Sequence, residues 1–138
     1  MALRWRNSYS CNISEIDNQH KKLFEICSKL NILQPICYNI DFRDEIKEII
    51  NDLKEYTIYH FEYEESLLKK YNYNEFERQH REHEGFVRKI AELDNAINEN
   101  NNPEFVKDIV DFVTGWITAH ILNTDMMYKE FLNGLGIY

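Results

Sequence analysis

A chain of 138 residues is long enough for one domain with a buried core, and its 43% hydrophobic and 14% aromatic content suits an interior lined by large flat side chains. Lys and Arg total 16 against 24 Asp and Glu, a formal charge of -8, so no basic stripe exists to release counterions and nucleic acid and anionic membranes are excluded as partners. Cys11, Cys27 and Cys37 form no C-x-x-C pair, which argues against a structural zinc knuckle and for free thiols in a reducing compartment. The opening M-A-L-R-W-R-N-S-Y-S lacks the apolar stretch of a signal peptide, and no later run could span a bilayer; a cytoplasmic protein is expected.

With only 4 Gly and 2 Pro, the chain favours long helices. An irregular N-terminal arm through about Ser14 carries Trp5 and Tyr9, expected to pack on the end of the fold. The first helix is predicted from near Asp17, with Ile16, Leu23, Phe24, Cys27 and Leu30 at steps of three and four, and Pro35 closes it. The second opens at Asp41, with Asp44 and Glu45 in its first turn, and runs through Ile46, Ile50, Leu53, Thr57, His60, Glu64 and Leu68. It stops at Y-N-Y-N, residues 71–74. Asn74 followed by Glu77 has the spacing of a capping box, so the third helix is predicted to start there, with Phe86, Ile90 and Leu93 inward. After the polar N-E-N-N-N at 98–102, Asn102 as cap and Pro103 at the first helical position start the fourth, which Gly134 and Gly136 end. Four amphipathic helices with short connections predict an all-α, up-down-up-down antiparallel four-helix bundle, a single domain over 1–138.

Polar residues interrupt each of the apolar stripes. His20 follows the inward phase of the first helix, His60 and Glu64 lie one turn apart on the second, His83 lies on the third, and His120 and Asp125 lie on the fourth. In a regular α-helix the last two differ by roughly 140° in direction, so the Asp must reach round to converge with its neighbour. A lone inward histidine is ordinarily a satisfied core residue. Four of them with two carboxylates would cost several kcal/mol each to bury without a shared partner, and a bound metal offsets that cost. Imidazole and carboxylate donors without thiolate suit iron, manganese or zinc, and the donor count exceeds one tetrahedral zinc, which points to a dinuclear site. Only Glu77 and His80 have Glu-x-x-His spacing, so a ferritin-like arrangement fits poorly.

The segments I-D-N-Q-H at 16–20, H-F-E-Y-E-E at 60–65, H-E-G-F at 83–86 and W-I-T-A-H-I-L-N-T-D at 116–125 resemble bacterial hemerythrins, over a stretch running from Trp5 to about Tyr128. As a set, the ordered pattern is highly specific. The resemblance implies two iron ions with a bridging oxo or hydroxo group, reversibly binding O2. By position, His20 and His60 would ligate the iron with an open site, Glu64 and Asp125 would bridge, and His83 and His120 would hold the other iron. Signalling would need a separate redox or signalling partner.

One departure from the resemblance stands out. The family has His-x-x-x-His on the third helix, where this chain has Gln79 four residues before His83, with His80 next door. At about 100° per residue, Gln79 falls near the apolar direction and His80 lies towards the flank. Gln79 then ligates weakly through its amide oxygen, hydrogen-bonds a bound water, or leaves the position empty. Two imidazoles on each iron would open a position on the second ion. That would suit reduction of H2O2, NO or O2 by a peroxidase-type enzyme, an alternative to O2 carriage. Leu23, Phe24, Trp116 and Ile121 are candidates for an apolar wall around the site.

Overall fold

The computed structural model describes residues 3–36, 41–99 and 102–138; Cys37 lies outside them. Three long helices are α1 (Ser14–Leu33), α2 (Arg43–Lys70) and α3 (Phe76–Ala96). The fourth rod joins α4 (Pro103–Ala119), a π-helical segment over His120–Asp125, and α5 (Met126–Gly134). Neighbours along the chain pack together, α1 on α2 and α2 on α3, and α1 closes the ring against α4. Phe86 of α3 meets Phe112 and Trp116 of α4 at 5.8 and 4.3 Å between ring centres. This is the expected up-down-up-down bundle. Among the described residues no helix is long and apolar enough to cross a membrane.

Helix ends follow local chemistry, with three departures from expectation. Helix α1 starts at Ser14, before Asp17, because the Asp17 carboxylate reaches back to the arm: it accepts from the Cys11 N–H (2.9 Å) and the Ser10 hydroxyl. Helix α2 starts at Arg43, two residues past Asp41, whose Oδ1 accepts the Arg43 N–H at 2.9 Å. The Asn74 capping box does not form. Asn72 is left-handed (φ 56), and the Tyr73 and Asn72 N–H groups bond the Leu68 and Lys69 carbonyls (3.0 and 3.2 Å), closing α2 in a Schellman motif. That tight turn moves the start of α3 to Phe76, behind Glu75, which makes no side-chain cap. Asn102 and Pro103 behave as expected, with Asn102 Oδ1 accepting the Glu104 N–H at 2.8 Å. Trp5 and Tyr9 pack on Phe24, halfway along α1, at 5.6 and 4.9 Å, so the arm lies on the side of the bundle and not on its end.

The apolar interior falls into two clusters. The larger gathers Leu23, Leu30, Ile50, Leu53, Phe86, Ile109 and Ile117 with their neighbours. The smaller gathers Cys11, Ile13, Ile16, Leu68, Tyr73, Tyr128 and Leu132. Each helix crosses from one to the other: Ile16 to Leu23 on α1, Leu68 to Phe61 on α2, Tyr128 to Ile121 on the fourth rod. The residues of the crossing are His20, Glu64, Asp125 and their buried polar neighbours. Because the Asn102 cap is the one that sequence and structure both assign, Asn102→Ala should lower stability by about 1 kcal/mol. Urea unfolding should report this as a lower midpoint at unchanged slope.

Candidate metal centre

His20 comes from α1, His60 and Glu64 from successive turns of α2, His83 from α3, and His120 and Asp125 from the π segment. All six are buried, none more than 4% exposed. They form two groups, His20–His60–Glu64–Asp125 and Glu64–His83–His120–Asp125, each with donor atoms within 4.8 Å of one another. The two carboxylates are shared. Glu64 Oε2 lies 2.9 Å from His60 Nε2 and 3.7 Å from His20 Nε2, while Oε1 lies 3.4 Å from His83 Nε2. Asp125 likewise turns Oδ2 to His20 (3.2 Å) and Oδ1 to His120 (3.0 Å).

The expected 140° between His120 and Asp125 is corrected by the π segment. Its hydrogen bonds run from residue i+5 back to i, as from the Met126 N–H to the Ile121 carbonyl, so the turn holds one extra residue and the angle shrinks by roughly 100°. Both side chains then face the same point without Asp125 reaching round.

The donor set fits a metal pair. Two nitrogens at about 2.1 Å from one ion, at a right angle, stand about 3.0 Å apart. His83 Nε2 and His120 Nε2 face each other at 3.1 Å. His20 Nε2, both Glu64 oxygens and Asp125 Oδ2 are buried without a hydrogen bond of good geometry, as expected of lone pairs directed at a common centre and not at one another.

Electrostatics points the same way. Burial works to lower the His20 pKa, yet the Asp125 and Glu64 carboxylates overcome it and raise the ring from the usual 6.5 to about 9. His83 rises to about 9 by the same balance, burial opposed by Glu64 and Glu65. At His60 burial wins and the pKa falls. Burial pushes the Glu64 carboxyl up, but His60, His20 and His83 hold it well below its usual range. Two buried anions draw protons onto the rings around them, and a cation would take the place of those protons.

A family model described as "Hemerythrin HHE cation binding domain" matches residues 11–132. The chain belongs to the hemerythrin family. A Bacteriohemerythrin of Clostridium acetobutylicum is 34% identical over 126 residues, covering 91% of this chain and 98% of that protein. Another, from Pseudomonas aeruginosa, is 30% identical over 129 residues, covering 93% of this chain and 80% of its own length. The crystal structure of a wild-type hemerythrin shares the fold at TM-score 0.79 and 26% identity, covering 94% of this chain and 96% of that one. Membership implies a non-haem di-iron centre.

Around this hemerythrin-family site stand residues that sequence patterns did not single out. Gln19 Oε1 contacts His60 Nδ1 at 2.7 Å, and Glu65 Oε2 contacts His83 Nδ1 at 2.7 Å. Glu82 Oε1 lies 3.6 Å from His120 Nδ1 and accepts the Thr124 hydroxyl. Phe61 stacks on His83 (3.8 Å, 4° between planes), and Trp116, already expected on the wall of the site, stacks on His120 (4.5 Å, 11°). Their only sequence signal is adjacency: Gln19 precedes His20 and Glu65 follows Glu64. Gln79 points inward and His80 lies on the flank, its Nδ1 and Nε2 paired with Glu65 (2.7 Å) and Glu84 (3.1 Å). The Gln79 amide donates to the Thr124 carbonyl (3.3 Å) and to Asp125 Oδ1 (3.2 Å).

Stripped of metal by a chelator, the protein is expected to melt at lower temperature as pH rises from about 6.5 to about 9. His20 and His83 bind their protons more tightly folded than unfolded, so their contribution is complete below 6.5 and gone above about 9. With a cation in place the rings are already unprotonated and the loss should vanish. A metal-free melting temperature that stays flat or rises across this window would contradict the account.

Proposed function

We propose that this chain is a non-haem di-iron protein that binds O2, with His20, His60, Glu64, His83, His120 and Asp125 holding the iron. The observation that carries the reading is the pair of donor groups sharing Glu64 and Asp125, each carboxylate offering one oxygen to either side. When bound, iron supplies the redox chemistry by which O2 is taken up. Glu64 and Asp125 tie the two halves together, Gln19 and Glu65 orient the rings of His60 and His83, and Trp116 stacks on the ring of His120.

A small cavity of about 10 Å3 supports O2 as the guest. It is bounded by His20, His60, His120 and Asp125 on one side and by Leu23, Phe61, Trp116, Ile117 and Ile121 on the other. That is about the smallest space that admits one water-sized molecule, so only a very small guest can enter and bulk water is kept out. Thr57, on the same wall, donates its hydroxyl proton to the Lys54 carbonyl (3.0 Å). Of the apolar residues expected around the site, Leu23, Trp116 and Ile121 line this cavity, whereas Phe24 packs on the arm.

Loaded anaerobically with ferrous iron, the protein should hold two irons per chain, gain visible charge-transfer absorption on exposure to O2, and lose it when O2 is removed. A colourless aerobic protein with two irons, or loading that stops short of two, would defeat this reading. Gln79 favours a second one, reduction of H2O2 or NO, because it places an amide and no third imidazole beside His83 and His120. Stopped-flow mixing with H2O2 and a chromogenic electron donor separates the two: many turnovers per chain mean an enzyme, and a stoichiometric reaction means a carrier.

A further inference from the structure

The two halves of the centre have the same composition, two imidazoles and two shared carboxylates. Beside the His83/His120 half stands Gln79, buried to 1% exposure and one turn before His83 on α3. Both groups that receive its amide hydrogens, the Thr124 carbonyl and Asp125 Oδ1, are acceptors only. The amide therefore cannot turn over, since its own carbonyl would then face two oxygens. An amide NH2 offers no lone pair to a cation, so in this orientation Gln79 clamps Asp125 and is not itself a ligand. Its Oε1 is left buried with no donor among the described residues. A buried carbonyl without a donor is costly, and something bearing a proton satisfies it.

Resting on the di-iron reading above, two imidazoles and carboxylate oxygens leave each ion with positions to spare, as in other histidine–carboxylate iron sites. We propose that the His83/His120 half carries a second exchangeable ligand position, beside Gln79. It holds water or hydroxide whose proton Gln79 Oε1 accepts, and exchanges it for a small anion. The centre then takes two exogenous ligands, one in the cavity bounded by His20, His60, His120 and Asp125 and one next to Gln79. His80 plays no part in it, because both its ring nitrogens face carboxylates of the α2–α3 surface.

Azide is a suitable probe, titrated optically into the oxidised, iron-loaded protein, with iron measured in every sample. Wild type should bind two azides per chain, and Gln79→His, which places an imidazole at the position, should bind one. Gln79→Leu should still bind two, the second roughly 2- to 12-fold tighter, because the water it displaces has lost one hydrogen bond. A single azide in wild type at two irons per chain overturns the proposal, as does weaker binding of the second azide in Gln79→Leu. Fewer than two irons before azide is added would instead remove the di-iron reading, and the proposal with it.

Discussion

Glu64 and Asp125 are carboxylates with no exposure to water, and most of what surrounds them offsets that burial. Taking one such anion into a protein interior costs several kcal/mol even after relaxation, and two sharing a site repel each other as well. The bundle answers with four imidazoles, one from each of α1, α2, α3 and the π segment, each within about one ligand spacing of a carboxylate oxygen. Protons on His20 and His83 or a pair of cations can neutralise the layer. Only the cations also satisfy the lone pairs left without a hydrogen bond. The two apolar clusters on either side keep water out, which makes the electrostatic demand severe and the site specific.

The partners behind the rings make the two halves unequal. His83 has the Glu65 carboxylate hydrogen-bonded at Nδ1 (2.7 Å), whereas the Glu82 carboxylate stands 3.6 Å from His120 Nδ1, too far for a hydrogen bond. His60 has the neutral amide oxygen of Gln19, and neither His20 Nδ1 nor His120 Nδ1 has a hydrogen-bond partner among the described residues. An anion behind an imidazole raises its basicity and its donation to a metal, so the His83/His120 half is the more electron-rich. The cavity reaches both halves, touching His20 and His60 on one side and His120 on the other. Equal donor counts thus conceal a polarity: the half backed by the Glu65 carboxylate is the better placed to stabilise positive charge.

Much of this was legible in the sequence, and the failures have physical reasons. Polar residues on apolar stripes marked His20, His60, Glu64, His83, His120 and Asp125, because period 3.6 is an accurate ruler within a regular helix. The same ruler placed Gln79 inside and His80 on the flank. It failed at His120–Asp125, where hydrogen bonding changes to i+5, a switch that no local pattern announces. Asn74 carried a plausible capping signal, but the left-handed Asn72 two residues earlier decided where α3 begins. Gln19, Glu65 and Glu82 were invisible for another reason: each is an ordinary helix polar residue whose role exists only through a partner on a different helix.

The π segment ties the metal layer to the packing beyond it. Continued as a regular helix, the fourth rod would carry Leu132 about 120° away from the direction of His120, out of the interior. One extra residue in a π turn absorbs roughly 100° of that, so Asp125, Tyr128 and Leu132 all return to the face that Val113 and Ile117 occupy. Tyr128 and Leu132 are each fully buried and hold the smaller cluster together with Ile16 and Leu68. The irregularity is therefore sustained from both ends. Site chemistry draws Asp125 inward, and burial of a large aromatic and a leucine draws the next two turns in behind it. A rod continued as a regular α-helix would forfeit both, which is why the i+5 hydrogen bonding sits in this layer and nowhere else among the described residues.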